Sequence, residues 1–463
     1  MLVFFHAASD HTTDSPFWKY PEGPVDFIFL FCYDGSMKTT GIIAEYNPFH
    51  NGHLYQMQEA RRLSGADYII VVMSPDFVQR GAPSLIDKWV RARMALAEGA
   101  DLVLELPVRC AAGSAEFFAY GGVSLLSSLG VVDALSFGCE AKDIALLEEY
   151  AHFLCQEEPA QYRRILKDAL KEGKSFAQAR CSAYLGVSSR EEADGQILRS
   201  PNNILAVEYL KAVFGTGSGM RPVPVHRTGA AYHDRSIPGS SVSCRQDLEM
   251  DRGDYASASG IRSALSKGID VRDHIPAAAY ELLKKEISAN RYLTPSDLDL
   301  PLHLKLVQAR GTLSDYLDVS DDLANRIEHL LPQYTGFEPF TALLKTKQTA
   351  YTRISRALLH ILLDIRKKNH AEEDSRTQKA AEGRSIFQPS YARVLGFRKS
   401  AQPLLAGIKK SSRIPLITKL PPRTQMSEAL QEDTRAAELW ELLVSHKTGA
   451  GILNERQRRI IIL

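Results

Sequence analysis

The sequence predicts an α/β fold: a parallel sheet with helices on both faces, followed by a mainly helical second part. Three observations carry this reading. Short apolar runs alternate with amphipathic stretches four times between Thr39 and Gly138. Those runs lack polar alternation, as strands buried on both faces do. The chain has 463 residues, whereas single cores rarely grow beyond about 250–300, so more than one domain is expected.

Taken in order, a buried strand is expected at 41–46 and a helix at 52–63. A second strand follows at 67–73. The helix at 87–98 places Val90, Met94 and Ala97 on one face, at the spacing of a helical stripe. A third strand, 101–106, is ended by Pro107. A helix at 115–127 leads to a fourth strand, 131–137, stopped by Gly138. Strands in this order imply right-handed crossovers. Helices are then expected at 142–155, 159–172 and 174–186, and another opens at Pro201. A short extended segment, 221–226, precedes a polar loop with Gly229, Pro238 and Gly239, and Ser257 opens a late helix. The domain boundary is placed near 270, giving parts 37–270 and 271–463. In the second part, 358–365 has a strong apolar face and 427–446 is helical. The stretch 389–420 holds a few strands, and 366–384 reads as a charged linker or mobile loop. Residues 1–36 are rich in turns and lack periodicity. They are expected to be poorly ordered or an over-extended start, with the functional chain beginning at Met37.

Composition narrows the function classes. Hydrophobic residues make up 44% and charged residues 24%, which fits a globular protein and not a disordered one. The formal net charge is only +1, so any contact with nucleic acid must come from local basic patches. The six cysteines form no CxxC pair and have no zinc-ligand spacing, which suits reduced thiols in the cytoplasm. No apolar run approaches the ~18 residues of a membrane span. The run 25–31 is broken by Asp26 and lacks the features of a signal peptide.

The sharpest motif is Asn47-Pro48-Phe49-His50-Asn51-Gly52-His53, between the first strand and first helix. Ligands of open α/β sheets bind at the carboxyl ends of strands, where helix N-termini offer free N–H groups to phosphate. His50 and His53 stand there to contact the phosphates of ATP and stabilise transition-state charge, not to act as nucleophiles. Gly52 would let the backbone come close. A second motif, Ser257-Ala258-Ser259-Gly260-Ile261-Arg262, opens the late helix. Its hydroxyls, N–H groups and arginine suit the β- and γ-phosphates, although such a string is also an ordinary helix cap.

Together these strings resemble the HxGH…ISSTxxR pattern of nucleotidyltransferases, which have a Rossmann-like parallel sheet, with Ala258 at the second serine. Longer strings resemble the tRNA(Met) cytidine acetate ligase family: 41–54, 72–81, 88–96, 101–107, 200–205, 352–356 and 393–397. The likeness runs from Met37 to about residue 425. It implies a cytoplasmic ligase that activates acetate with ATP as acetyl-adenylate, releasing pyrophosphate. The acetyl group then passes to N4 of the wobble cytidine of elongator tRNA(Met). By that resemblance, the ATP site takes in Ile43, Ala44, Glu45, Tyr46, Asn47, Pro48 and Phe49, then His50, Asn51, Gly52, His53, Leu54, Tyr55 and Gln56. Gly138, Asn202 and Arg227 complete it, with Ser257, Ser259 and Arg262 of the second motif. The sequence departs from the family at Pro75-Asp76, where a small or amide residue is expected near the acetate pocket.

Acetate's own carboxylate attacks phosphorus, so the enzyme must position two anions and offset their repulsion. Lys88 is the expected catalytic cation, with Arg80 and Arg91 beside it. No carboxylate cluster marks a metal site, so Mg²⁺ is expected to arrive with ATP. For RNA, Lys345, Lys347, Arg353 and Arg356 form a basic stretch around Tyr351, which could stack on a base. Arg398-Lys399 and Lys409-Lys410 add further basic patches. No obligate protein partner and no membrane contact are evident. Two alternatives stay open: a small-molecule nucleotidyltransferase of coenzyme synthesis, and a non-catalytic RNA-binding relative.

Overall fold

The computed structural model describes residues 37–141, 143–156, 159–174, 176–188, 190–226, 255–346, 349–367 and 387–463. The expectations for 1–36 and for 368–384 lie outside these residues. Met37 to Leu463 forms one contact unit.

The four expected strands are β1 (Thr39–Ala44), β2 (Tyr68–Met73), β5 (Leu102–Glu105) and β6 (Ala134–Cys139), and the extended segment is β7 (Arg221–His226). They lie in the order β5-β2-β1-β6-β7, all parallel. The chain thus builds outward from β1 in one direction and then returns to build in the other. The crevice at the carboxyl ends of β1 and β6 is the switch point where α/β sheets bind ligands. Strand β6 continues through Gly138 to Cys139, one residue beyond the expected glycine stop.

Strand alternation divides the side chains between two cores. Ile42, Ala44, Ile69, Val71 and Val103 pack on one face with helices α1 (Asn51–Ser64) and α2 (Lys88–Ala97). Ile43, Ile70, Val72, Leu102 and Leu104 pack on the other, against α4 (Ala115–Ser128), which follows the short α3 (Val108–Ala111). Burial on both faces explains why these runs read as continuous apolar strings. The second face also carries a helical layer: α5 (Ala145–Cys155), α6 (Ala160–Lys171), α7 (Phe176–Leu185), α8 (Glu192–Leu198) and α9 (Pro201–Gly215). Helix α8 was not expected, because its short stretch carries little apolar periodicity. On the first face, α10 (Ala258–Ser266) and α11 (Ala277–Ser288) join α1 and α2.

A third core is helical. It joins α12 (Asp299–Gln308), α13 (Asp321–Leu330), α14 (Phe337–Leu344), α15 (Tyr351–Leu362) and α17 (Glu428–Thr448) around Phe337, Phe340, Leu358 and Trp440. Phe77 of a two-strand hairpin, β3 (Phe77–Val78) and β4 (Ala82–Pro83), reaches into it. After residue 387 the chain returns to the first sheet. Strand β8 (Ala392–Phe397) pairs antiparallel with β5, with Val394 opposite Leu104. Past helix α16 (Gln402–Ser411), β9 (Leu416–Ile417) and β10 (Ile461–Ile462) pair parallel with β8. The expected strands of 389–420 therefore extend the N-terminal sheet. Pairing across some 300 residues leaves no local trace in the sequence. No helix among the described residues is long and apolar enough to cross a membrane.

A buried ionic cluster ties this return to the sheet. Lys88 Nζ lies 2.6 Å from Glu105 Oε1 on β5 and 2.7 Å from Glu455 Oε1 near the C-terminus. Arg393 of β8 reaches the same Glu455 oxygen at 2.8 Å, and Trp89 Nε1 donates to Glu455 Oε2 at 3.2 Å. Burial alone would lower the Lys88 ammonium, but Glu105 and Glu455 outweigh it and hold the group above its ordinary value. Removing one member of such a cluster leaves uncompensated buried charge. Lys88→Met is expected to cost about 3–5 kcal/mol of folding stability. Urea unfolding followed by circular dichroism checks this, and a loss within measurement error would refute the scaffold role.

Candidate active site

The loop from β1 to α1 is held from several sides. Tyr46 adopts a left-handed backbone, φ 48°, with its ring buried, and the Asn47–Pro48 peptide is cis. Asn47 Oδ1 accepts from the Leu85 N–H at 2.7 Å. Phe49 is fully buried, edge-on to Tyr46 at 4.8 Å. The loop is thus set by its surroundings before any ligand arrives.

The two histidines cap the helix they introduce. His50 is extended at the N-cap, and its Nδ1 accepts from the Gly52 N–H at 3.1 Å. His53 Nδ1 accepts from the His50 N–H at 3.3 Å. This is a reciprocal capping box made of imidazoles. The rings stack, with centroids 3.7 Å apart. A nitrogen that accepts from an amide carries no proton, so the neutral rings hold theirs on Nε2. The cap therefore sets the tautomer that offers an N–H donor. It also explains the intervening glycine: a Cβ on Gly52 would lie 2.9 Å from His50 Cε1. The motif's glycine makes room for its own histidine.

The second motif meets this loop. Ser257 caps α10, its Oγ accepting from the Gly260 N–H at 3.0 Å. Ser259 Oγ accepts from Arg80 Nη1 at 2.9 Å and Arg262 Nη2 at 3.3 Å. Arg262 Nη1 donates to the Asn47 carbonyl at 2.6 Å. Residues 215 positions apart thus form one wall.

A cavity opens at this point, at the crossover between β1 and β6. From the expected stretch 43–56 it is lined by Ile43 to Asn47, His50, Gly52, His53, Tyr55 and Gln56. Pro48, Phe49, Asn51 and Leu54 are not on it. Phe49 and Leu54 pack into the core, and Asn51 Nδ2 donates to the Asp273 carbonyl at 3.0 Å. Gly138, Asn202, Ser257, Ser259 and Arg262 all line the cavity, as does Arg80. Arg227 lies outside the described residues. Sequence reasoning missed the apolar end, made by Phe118, Phe137, Leu205, Tyr209 and Val225, and it missed Gln79, His226 and Tyr255. Phe137 was within reach of inference, since it precedes Gly138 on the strand. Gln79 and Leu205 lie within the strings 72–81 and 200–205, and the others come from separate elements and carry no local signal.

The adjacent asparagines of Ser200-Pro201-Asn202-Asn203 divide the work. Asn203 Oδ1 accepts from the Glu140 N–H at 2.8 Å and the Ala141 N–H at 3.2 Å, while its Nδ2 donates to the Ile197 carbonyl at 2.9 Å. It clasps the end of β6. Asn202 donates to the Glu140 carboxylate and faces the cavity.

Lys88 and Arg91 are not brought to the cavity. Lys88 is fully buried in the ionic cluster, which corrects its assignment as the catalytic cation. Arg91 donates to the carbonyls of Glu45 and Ser74 at 2.8 and 2.9 Å, bracing the loops. Asp76, the departure noted above, turns toward α2 and accepts from the Lys88 N–H at 2.8 Å. Burial raises its carboxyl to about 7 against the pull of Lys88 and Arg91. Neither Pro75 nor Asp76 lines the cavity.

Of the basic stretch, Lys345 and Arg353 are exposed and Tyr351 is half-buried. Arg356 instead leans on Asp318, Nε to Oδ2 3.7 Å, so the two arginines are not equivalent on one open face. Lys347 lies outside the described residues. Arg398 Nε donates to the Leu96 carbonyl at 2.8 Å, a structural contact, while Lys409 and Lys410 are exposed. Among the described residues, no group of three or more His, Cys, Asp or Glu side chains is placed to hold a metal.

A model of the HIGH nucleotidyl transferase family matches residues 37–453. A tRNA(Met) cytidine acetate ligase from a Thermoanaerobacter species is 38% identical over 424 residues, 90% of this chain and 98% of that protein. One from Clostridium kluyveri is 39% identical over 419 residues, 88% of this chain and 95% of that protein. The crystal structure of apo Thermotoga maritima TmcAL aligns with a TM-score of 0.81 at 30% identity, over 92% of this chain and 100% of that one. TmcAL bound with alpha-thio ATP aligns with a TM-score of 0.78 at 30% identity, with the same coverage.

The asparagine pair separates scaffold from cavity. Asn203→Ala leaves two N–H groups and a carbonyl unsatisfied, and is expected to cost about 1–3 kcal/mol. Asn202→Ala should cost less than half as much. Denaturant unfolding of both variants checks the ranking.

Proposed function

The chain belongs to the HIGH nucleotidyl transferase family and, within it, to the tRNA(Met) cytidine acetate ligases, and from that premise we propose how its own residues carry the reaction. The enzyme is an ATP-dependent ligase that acetylates tRNA. ATP lies in the β1–β6 cavity, its base toward Phe137, Gly138 and Tyr209 and its phosphates toward the starts of α1 and α10. An acetate oxygen attacks the α-phosphorus. The bond from that phosphorus to the bridging oxygen breaks, and pyrophosphate leaves with the electron pair. N4 of the wobble cytidine of elongator tRNA(Met) then attacks the acetyl carbon, AMP departs, and N4 gives up a proton.

The single observation that carries this reading is the imidazole capping box at the crossover. It fixes two Nε2–H donors at a helix N-terminus, where developing phosphate charge is best stabilised. Arg262 and Arg80, braced through Ser259, add positive charge. The donors stand in place before the reaction, so they need not reorganise as charge builds. Mg²⁺, in this reading, is held by the ATP phosphates and offsets their charge. The tRNA approaches over α15, with Arg353, Lys345 and Tyr351 at its surface. A cytoplasmic location follows from the substrate.

The test is exchange of labelled pyrophosphate into ATP by the purified chain. Exchange should require acetate and proceed without tRNA. His53→Ala should lower it by at least about 10²-fold while tRNA binding persists. Exchange independent of acetate would instead favour a nucleotidyltransferase with another substrate. Arg353→Ala should weaken tRNA binding and reduce the slope of log K against log salt by about one. Filter-binding titrations across salt concentrations measure this, and an unchanged slope would place the RNA surface elsewhere.

A further inference from the structure

The hairpin of β3 and β4 lies between the cavity and α15. Its turn carries Gln79 and Arg80, which line the cavity, and Gly81, which meets the helix. Gly81 has φ +75°, and a Cβ there would lie 2.5 Å from the Arg356 backbone nitrogen and 2.8 Å from the Ser355 carbonyl oxygen. Ser355 Oγ donates to the Gly81 carbonyl at 2.8 Å, a buried bond between residues 274 positions apart.

Each strand of this hairpin has two residues, and an isolated two-stranded hairpin is at best marginally stable. The turn must therefore take its place from its surroundings. A serine inside a helix can give its proton to a carbonyl one turn back in the same helix. Ser355 is 2% exposed and gives its proton to Gly81 instead. Arg80, the next residue, is held at its far end, where Nη1 donates to Ser259 Oγ at 2.9 Å. Helix α15 thus fixes the backbone beside Arg80, and α10 fixes its guanidinium. We infer that Ser355 is a positioning residue that holds Arg80 at the phosphate end of the cavity. This rests on the reading above of Arg80 as a counter-charge to the phosphates of ATP.

Ser355 does not line the cavity, so its effect on the reaction passes through Arg80. Ser259 alone cannot fix that residue, because a long arginine stem reaches one oxygen from many backbone positions. Without its hydroxyl, Ser355 leaves the Gly81 carbonyl buried and unpaired, which is costly. The turn then moves off α15 to find another donor and takes Arg80 with it. A displacement of about 1 Å at a catalytic group can cost about 10²-fold in rate. The Gln79 N–H, donating to Glu45 Oε1 at 3.0 Å, is a second brace on the turn, so the loss is partial. The rest of the cavity is untouched, and the loss falls on rate more than on substrate affinity.

The experiment measures acetate-dependent pyrophosphate exchange by wild type, Ser355→Ala, Arg80→Ala and the double variant, with circular dichroism to confirm that each is folded. Arg80→Ala should lower the maximal rate by about 10²-fold. Ser355→Ala should lower it by about tenfold, with the KM for ATP within about twofold. Losses at independent sites multiply, whereas losses through one shared group do not. The double variant should therefore exchange within about twofold of Arg80→Ala alone. Gly81→Ala pushes the same turn off α15 from the other side. It should show the same pattern, and it carries the test if Ser355→Ala does not fold. The assignment is overturned if Ser355→Ala exchanges at the wild-type rate. It is equally overturned if the two losses multiply, which would make Ser355 a purely structural residue. If Arg80→Ala exchanges normally, the role of Arg80 fails and this assignment with it, while acetate activation stands. If wild type itself shows no acetate-dependent exchange, the underlying reading fails and takes this assignment with it.

Discussion

The ionic cluster of Lys88, Glu105, Glu455 and Arg393 is the constraint on which the architecture turns. It joins a helix of the first sheet layer, the strand β5, the returning strand β8 and the C-terminal segment. Two cations face two carboxylates, with Asp76 3.7 Å from the same ammonium. Taking these groups out of water is expensive, and only close pairing offsets it. The consequence is a strict register: β8 must lie beside β5, and Glu455 must reach across to Lys88. The cluster secures the end of the sheet at which the cavity loops emerge.

From that secured sheet the site follows by short steps. The carboxyl ends of β1 and β6 diverge, and the loop after β1 crosses the gap. Capping α1 with histidines instead of serine or aspartate means that the groups satisfying the helix start also line the cavity. Nδ1 of each ring satisfies an N–H at the helix start, and Nε2 is thereby left as the protonated nitrogen of the neutral ring. Arg262 does the same from the other side, holding the Asn47 carbonyl while lining the cavity. Helix α15 is coupled mechanically to the cavity wall, since its backbone packs against Gly81 in a space where no side chain fits.

Much of this was legible in the sequence, and the failures are instructive. Buried parallel strands leave continuous apolar strings, so β1, β2, β5 and β6 could be read to within a few residues. The paired motifs line one cavity, and each sits at a helix start, where local chain geometry leaves its mark on the sequence. Lys88 was misplaced for a physical reason: a cation opening a helix near a phosphate motif looks the same in sequence whether it faces ligand or three carboxylates. Arg356 was misread likewise, because its partner Asp318 lies 38 residues upstream on another element. The hairpin that carries Gln79 is two residues per strand, too short for periodicity to register.

The sequence by itself determined the strands and helices of the first sheet, their order and the two motifs that line the cavity, because strand burial, helix caps and glycine positions are all local properties of the chain. Only the tertiary structure decided which charges are scaffold, which aromatic side chains close the apolar end of the cavity, and where the last strands go. Those depend on contacts between residues hundreds of positions apart: Lys88 with Glu455, Val394 with Leu104, Gly81 with Ser355. Such pairings arise from burial and complementary charge across the folded core, and no stretch of chain contains both halves.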